Sequence, residues 1–83
     1  MSNKIESGQV LIGQRSDAYV TMTTVIGTGT VTMQNLAGNN AGSDTWVNVP
    51  DAYFAESTTV ILTPTTNQRY RFILTGDAQV WVA

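Results

Sequence analysis

Threonine and valine alternate through "GTGTVTMQ", and this alternation limits what the chain can fold into more than any other feature. Successive side chains of an extended strand point to opposite faces, so Thr28, Thr30, Thr32 and Gln34 share one face while Gly29, Val31 and Met33 share the other. Threonine and valine are branched at Cβ, stiff at the first side-chain torsion and favoured on a pleated surface. The stretch predicts a half-buried strand with a polar face made of hydroxyls. "DAYVTMTTVI" repeats the pattern, with Ala18, Val20 and Met22 opposed to Tyr19, Thr21 and Thr23.

Strand signals recur along the rest of the chain, and helix signals are almost absent. A polar arm, residues 1–7, is expected to stay loose until it docks, and "QVLIG" after it reads as a short apolar strand. "LAGNNAGSD" gathers Gly, Asn, Ser and Asp, residues that supply turns and left-handed backbone. "TWVNVP" reads as a strand stopped by Pro50 and "STTVILTP" as one stopped by Pro64, because proline cannot donate to a ladder. "TTNQ" then leads into the closing stretch "RYRFILTGDAQVWVA". The one weak helical candidate, "PDAYFAES", reads equally well as a loop or an irregular strand. About seven short strands separated by turns predict an all-β, antiparallel β-sandwich, jelly-roll-like, formed as a single domain by residues 8–83.

Composition narrows what such a domain can do. At 83 residues one core only just offsets chain entropy, and with no cysteine there is no disulfide to help, so oligomerisation is the remaining way to gain buried area. No histidine is present, which removes the usual zinc ligand and proton shuttle. Charged residues are 12% of the chain and the net charge is −2, so there is no basic patch for nucleic acid or an anionic membrane. With 42% hydrophobic residues the chain is expected to fold. The opening "MSNKIESGQ" has no apolar run of the secretion-signal kind, which points to synthesis in a cytoplasm.

Candidate chemistry is thin. The six acidic residues, Glu6, Asp17, Asp44, Asp51, Glu56 and Asp77, fall in or beside predicted turns and read as solvated or capping groups. "GTGT" resembles a phosphate loop but lacks the third glycine, the lysine and the following helix, so it reads as a turn. A serine nucleophile has no histidine base, and Lys4 lies in the arm. Asn39, Asn40, Ser43 and Asp44 offer oxygen ligands for calcium but only one carboxylate. No cofactor or metal is expected, and no enzyme activity. Trp46 reads as core or sandwich edge ahead of a carbohydrate-stacking platform.

The closing stretch predicts a hairpin of two registers. A two-residue turn at Gly76 and Asp77 sets Phe72 opposite Trp81; a three-residue turn through Ala78 sets Phe72 opposite Val82 and Ile73 opposite Trp81. Turn chemistry favours the shorter loop. Apolar patterning favours the longer one, which joins Tyr70, Phe72, Leu74, Val80 and Val82 on one face and turns Trp81 outward with Arg71 and Ile73. That second face needs a cover, either the "PDAYFAES" segment or a partner. A partner interface of Arg69, Arg71, Ile73 and Trp81, joined by Lys4 and Ile5 of the arm, follows from the second choice.

In order, "TVTMQ", the polar loop, "DTWVNV" and "YRFILTG" resemble small β-sandwich proteins of tailed bacteriophage particles, over residues 29–82. The resemblance implies a virion structural role, as a capsid decoration or cement protein on the capsid surface or as a small tail module. It implies a homotrimer and, as partner, the major capsid protein or another virion protein. "AGSDTW" is also similar to the Asp-box hairpin of sialidase-like propellers, but an extra residue between Gly42 and Thr45 and a missing upstream aspartate bar any transfer of Asp-box function. The alternative is a carbohydrate-binding or adhesion module, which would require Trp46, Tyr19 and Tyr53 to line one exposed surface.

Overall fold

The computed structural model describes residues 3–13, 20–40, 43–63 and 67–83. Eight strands form: β1 (Asn3–Ile5), β2 (Leu11–Ile12), β3 (Val20–Val25), β4 (Thr30–Asn40), β5 (Ser43–Phe54), β6 (Thr58–Leu62), β7 (Arg69–Thr75) and β8 (Gln79–Val82). They build two four-stranded sheets, ordered β1-β8-β3-β6 (sheet A) and β2-β7-β4-β5 (sheet B). Four antiparallel pairs nest inside one another: β1 with β8, β2 with β7, β3 with β6, and β4 with β5. This is one long hairpin rolled up and split between two sheets, the jelly-roll arrangement. The expected sandwich is thus present, with eight strands in place of about seven.

The additional strand comes from the expected arm. Asn3–Ile5 pairs with β8, placing Ile5 opposite Val80 at the edge of sheet A. Ile5 is therefore a core residue, since the same pleat that turns Lys4 outward turns Ile5 inward.

The terminal hairpin does not form. β7 lies in sheet B and β8 in sheet A, so the turn at residues 76–78 carries the chain between sheets. Gly76 takes φ +60° and the Ala78 amide donates to the Thr75 carbonyl at 3.2 Å, closing a tight corner. Each strand instead pairs with partners distant in sequence: Phe72 with Met33 of β4, Val80 with Ile5 of β1 and Thr24 of β3. The alternation was informative all the same. Tyr70, Phe72 and Leu74 face Val80 and Val82 across the sandwich, where a hairpin would have set them side by side.

Around Phe72, Met22, Val31 and Val80, all fully buried, the core closes with Ile5, Met33, Ala52, Tyr70 and Ala78. The Tyr70 and Phe72 rings meet edge to face at 6.0 Å. Among the described residues Thr24 is the one buried polar side chain, and it is satisfied: its hydroxyl donates to the Glu56 carbonyl at 3.0 Å and accepts from the Thr58 amide at 3.0 Å.

Pro50 does not end its strand. β5 runs to Phe54 along the edge of sheet B, where a missing N–H costs no ladder bond. Asn48 pairs with Gln34 and Tyr53 with Thr32, leaving residues 49–52 opposite Met33 alone. Within this bulge Asp51 takes φ +62° and Ala52 turns into the core. "PDAYFAES" is thus strand and turn, with no helix among the described residues. The polar cluster after Leu36 is also mostly strand: β4 and β5 continue as a two-stranded ribbon, with Asn40 opposite Ser43, past Asn35, the last β4 residue paired with β7. Pro64 and Tyr19 lie outside the described residues.

Candidate binding faces

Strand alternation projects two outer faces. On sheet B, Arg71, Gln34 and Asn48 sit in one cross-strand row, and Ile73, Thr32 and Tyr53 in the next. The Arg71 Nε donates to Gln34 Oε1 at 2.8 Å, and Gln34 Nε2 donates to Asn48 Oδ1 at 2.9 Å. The Arg71 guanidinium also lies 4.2 Å from the centre of the Trp46 ring, close enough for a cation–π contact. Trp46 is half-buried on the outer face of β5, the edge strand of sheet B, so of the expected places it takes the sandwich edge, and it is not an open platform: its own arginine occupies one side of the indole. The residues carried a usable signal here, because Asn48, two positions along, shares the Trp46 face and is polar.

On sheet A, Lys4, Trp81, Thr23 and Thr59 form a row across all four strands. Lys4 Nζ stands 5.9 Å from the Trp81 ring centre, and the Thr23 and Thr59 hydroxyls are bonded at 3.2 Å. Ile61, 68% exposed, follows Thr59 on the same face. The six expected interface residues are therefore divided by the fold. Arg69, Arg71 and Ile73 belong to β7 in sheet B, Lys4 and Trp81 lie on the outer face of sheet A, and Ile5 is in the core. Ile73 and Trp81 cannot share a patch, since their strands lie in different sheets and both side chains point away from the core.

At one end of the sandwich the chain crosses between sheets at residues 6–10, 26–29, 55–57 and 76–78, and polar side chains tie these corners together. The Asp77 carboxylate accepts from the amides of Gly29 at 2.9 Å, Thr28 at 3.0 Å and Gly27 at 3.2 Å. "GTGT" thus does cradle an anion, supplied by its own chain. Those amides, Gly29 first and then Thr28, hold the Asp77 carboxyl below its ordinary range. Ser57 Oγ accepts from the Ile26 amide at 2.8 Å, and Ser7 Oγ accepts from the Leu74 amide at 3.0 Å. Asp77 is consequently a structural tie, one of the capping roles read for the acidic turn residues, although the amides it caps lie about fifty positions away in the chain. In the core, burial raises the Tyr70 phenol above its ordinary value.

Among the described residues, no three carboxylates come together in a way that could hold a metal ion, and no helix is long and apolar enough to cross a membrane. The described residues form a small two-sheet jelly roll with two outer faces and a groove beside β6 that is lined by Tyr53, Phe54, residues 55–58 and Val60. The chain matches no family model, no curated protein and no solved structure.

Proposed function

We propose that this chain is a non-enzymatic structural subunit of a phage particle, of the capsid decoration or cement kind, binding the major capsid protein or another virion protein at the capsid surface. The observation that carries the reading is the pair of outer faces. Each presents a tryptophan with its own cation, Lys4 with Trp81 on sheet A and Arg71 with Trp46 on sheet B. Aromatic and arginine side chains are enriched where proteins meet proteins. Two such faces on opposite sides of a body whose shortest extent is 21 Å would let one subunit grip two neighbours at once. Jelly rolls serve in viral capsids as well as in lectins, which agrees with the role at the level of architecture only.

Capsids lacking the chain, incubated with the purified protein and sedimented, test the proposal. Stoichiometric uptake is expected, with Trp81→Ser and Ile73→Ser reducing uptake to different degrees because they alter opposite faces. A folded protein that stays in the supernatant would sink the idea. A second reading, carbohydrate binding, is favoured by one feature: Trp46 and Tyr53, the latter 62% exposed, flank Gln34 and Asn48 on the same outer face of sheet B. A glycan array with hits abolished by Tyr53→Ala would establish that reading in its place.

A further inference from the structure

Every open β-sheet leaves two edges, each a row of unpaired N–H and C=O groups that can accept another strand. The two sheets here have four: β1 and β6 on sheet A, β2 and β5 on sheet B. Three are guarded. β1 has three residues and carries Lys4, β2 has two residues, and β5 is broken by the bulge at Pro50 and Asp51. Short length, lysine, proline and bulges are the devices that keep edges from pairing. β6 has none of them. It is five residues long, its register with β3 is unbroken from Thr58 to Leu62, and residues 57–63 hold no charge. Among the described residues nothing pairs with its outer edge.

Beside that edge runs a groove of about 440 Å³, lined by Tyr53, Phe54 and residues 55–58 and 60. Val60 and Phe54 are half-buried at its wall, and Ile61 stands 68% exposed on the outer face. A strand added to β6 would cover this side of the core as well as filling the ladder.

We propose that β6 is a self-association edge, pairing antiparallel with β6 of a second copy to make one continuous eight-stranded sheet from two copies of sheet A. The length, unbroken register and lack of charge that leave β6 open on one copy leave it open on the other, so the contact is isologous and closes at two copies. A two-fold axis at Val60 sets Val60 against Val60 and Thr59 against Ile61 of the second copy. No like charges face each other in that register, the usual obstacle to a strand meeting its own image. The inference stands independently of the capsid role, and it differs from the trimer that the phage resemblance implies.

Sedimentation equilibrium of the full chain tests it, with two double variants that separate register from mere surface change. Wild type should be a dimer. Thr59→Lys with Ile61→Lys sets lysine against lysine twice and should weaken dimerisation by about tenfold or more. Thr59→Lys with Ile61→Glu sets lysine against glutamate twice and should dimerise at least as well as wild type, with circular dichroism reporting the fold of each. A wild-type monomer up to about 1 mM, the weak end of specific association, would overturn the proposal. So would a trimer, or a folded double-lysine variant that dimerises like wild type.

Discussion

At the scale of single residues, Asp77 and Gly29 bear on the same corner from two sides. The Asp77 carboxyl has a lowered pKa in the fold, so its contribution to stability is present above the ordinary carboxylate range and is lost as pH falls below it. Thermal melts across pH should therefore show wild type more stable than Asp77→Asn at neutral pH, with the gap closing in acid. A gap unchanged down to the lowest accessible pH would contradict the assignment. Gly29 sits so tightly that a Cβ there would meet the Thr75 carbonyl and the Ala78 amide, both backbone groups that cannot rotate away. Gly29→Ala should cost about 1–3 kcal/mol in denaturant unfolding, the usual range for overpacking.

At the scale of elements, β5 and the Thr24 bond set the shape of the open side of the sandwich. Thr24→Val preserves volume but strands the Thr58 amide at the start of β6 and the Glu56 carbonyl in the corner before it. A loss of about 1–3 kcal/mol is expected by chemical denaturation, and faster amide exchange at Thr58 should accompany it. Asp51 holds φ +62° in the β5 bulge, so Asp51→Val should destabilise by about 1–2 kcal/mol while Asp51→Gly leaves melting nearly unchanged. The β5 reading shows why proline is a weak stop signal. Pro50 lies on an edge and so removes no bond, and whether a strand is edge or centre is set by its neighbours.

At the scale of the whole molecule, the core is small and centred on Phe72, which is fully buried between the sheets. Phe72→Ala removes a ring from that centre and should cost about 3–5 kcal/mol. A typical domain has about 0.05–0.15 kcal/mol per residue in reserve, so this variant should melt far below wild type in calorimetry or be unfolded at room temperature. Dimerisation through β6 would raise the apparent stability of wild type with concentration, because assembly adds buried area that one copy lacks. The two outer faces are likewise a property of the whole, since each draws its residues from three or four strands.

Face assignment was legible from the residues. Alternation alone separated Val31 and Met33 from Thr32 and Gln34, and Tyr70, Phe72 and Leu74 from Arg71 and Ile73, because the pleat has a period of two whatever the strand pairs with. The strand-rich class and the sandwich followed from the same periodicity. Partner choice was not legible. Whether "RYRFILTGDAQVWVA" folds as a hairpin or crosses between sheets depends on the pairing of β7 with β4 and of β8 with β1 and β3, contacts between residues far apart in the chain. The pattern therefore determined which side chains of a strand share a face, and it left the face of Trp81 open between two registers until β8 paired with β1 and β3. Tertiary pairing decided that Trp81 and Ile73 occupy different faces, that three glycine-loop amides close on Asp77, and that β6 is left as the unguarded edge.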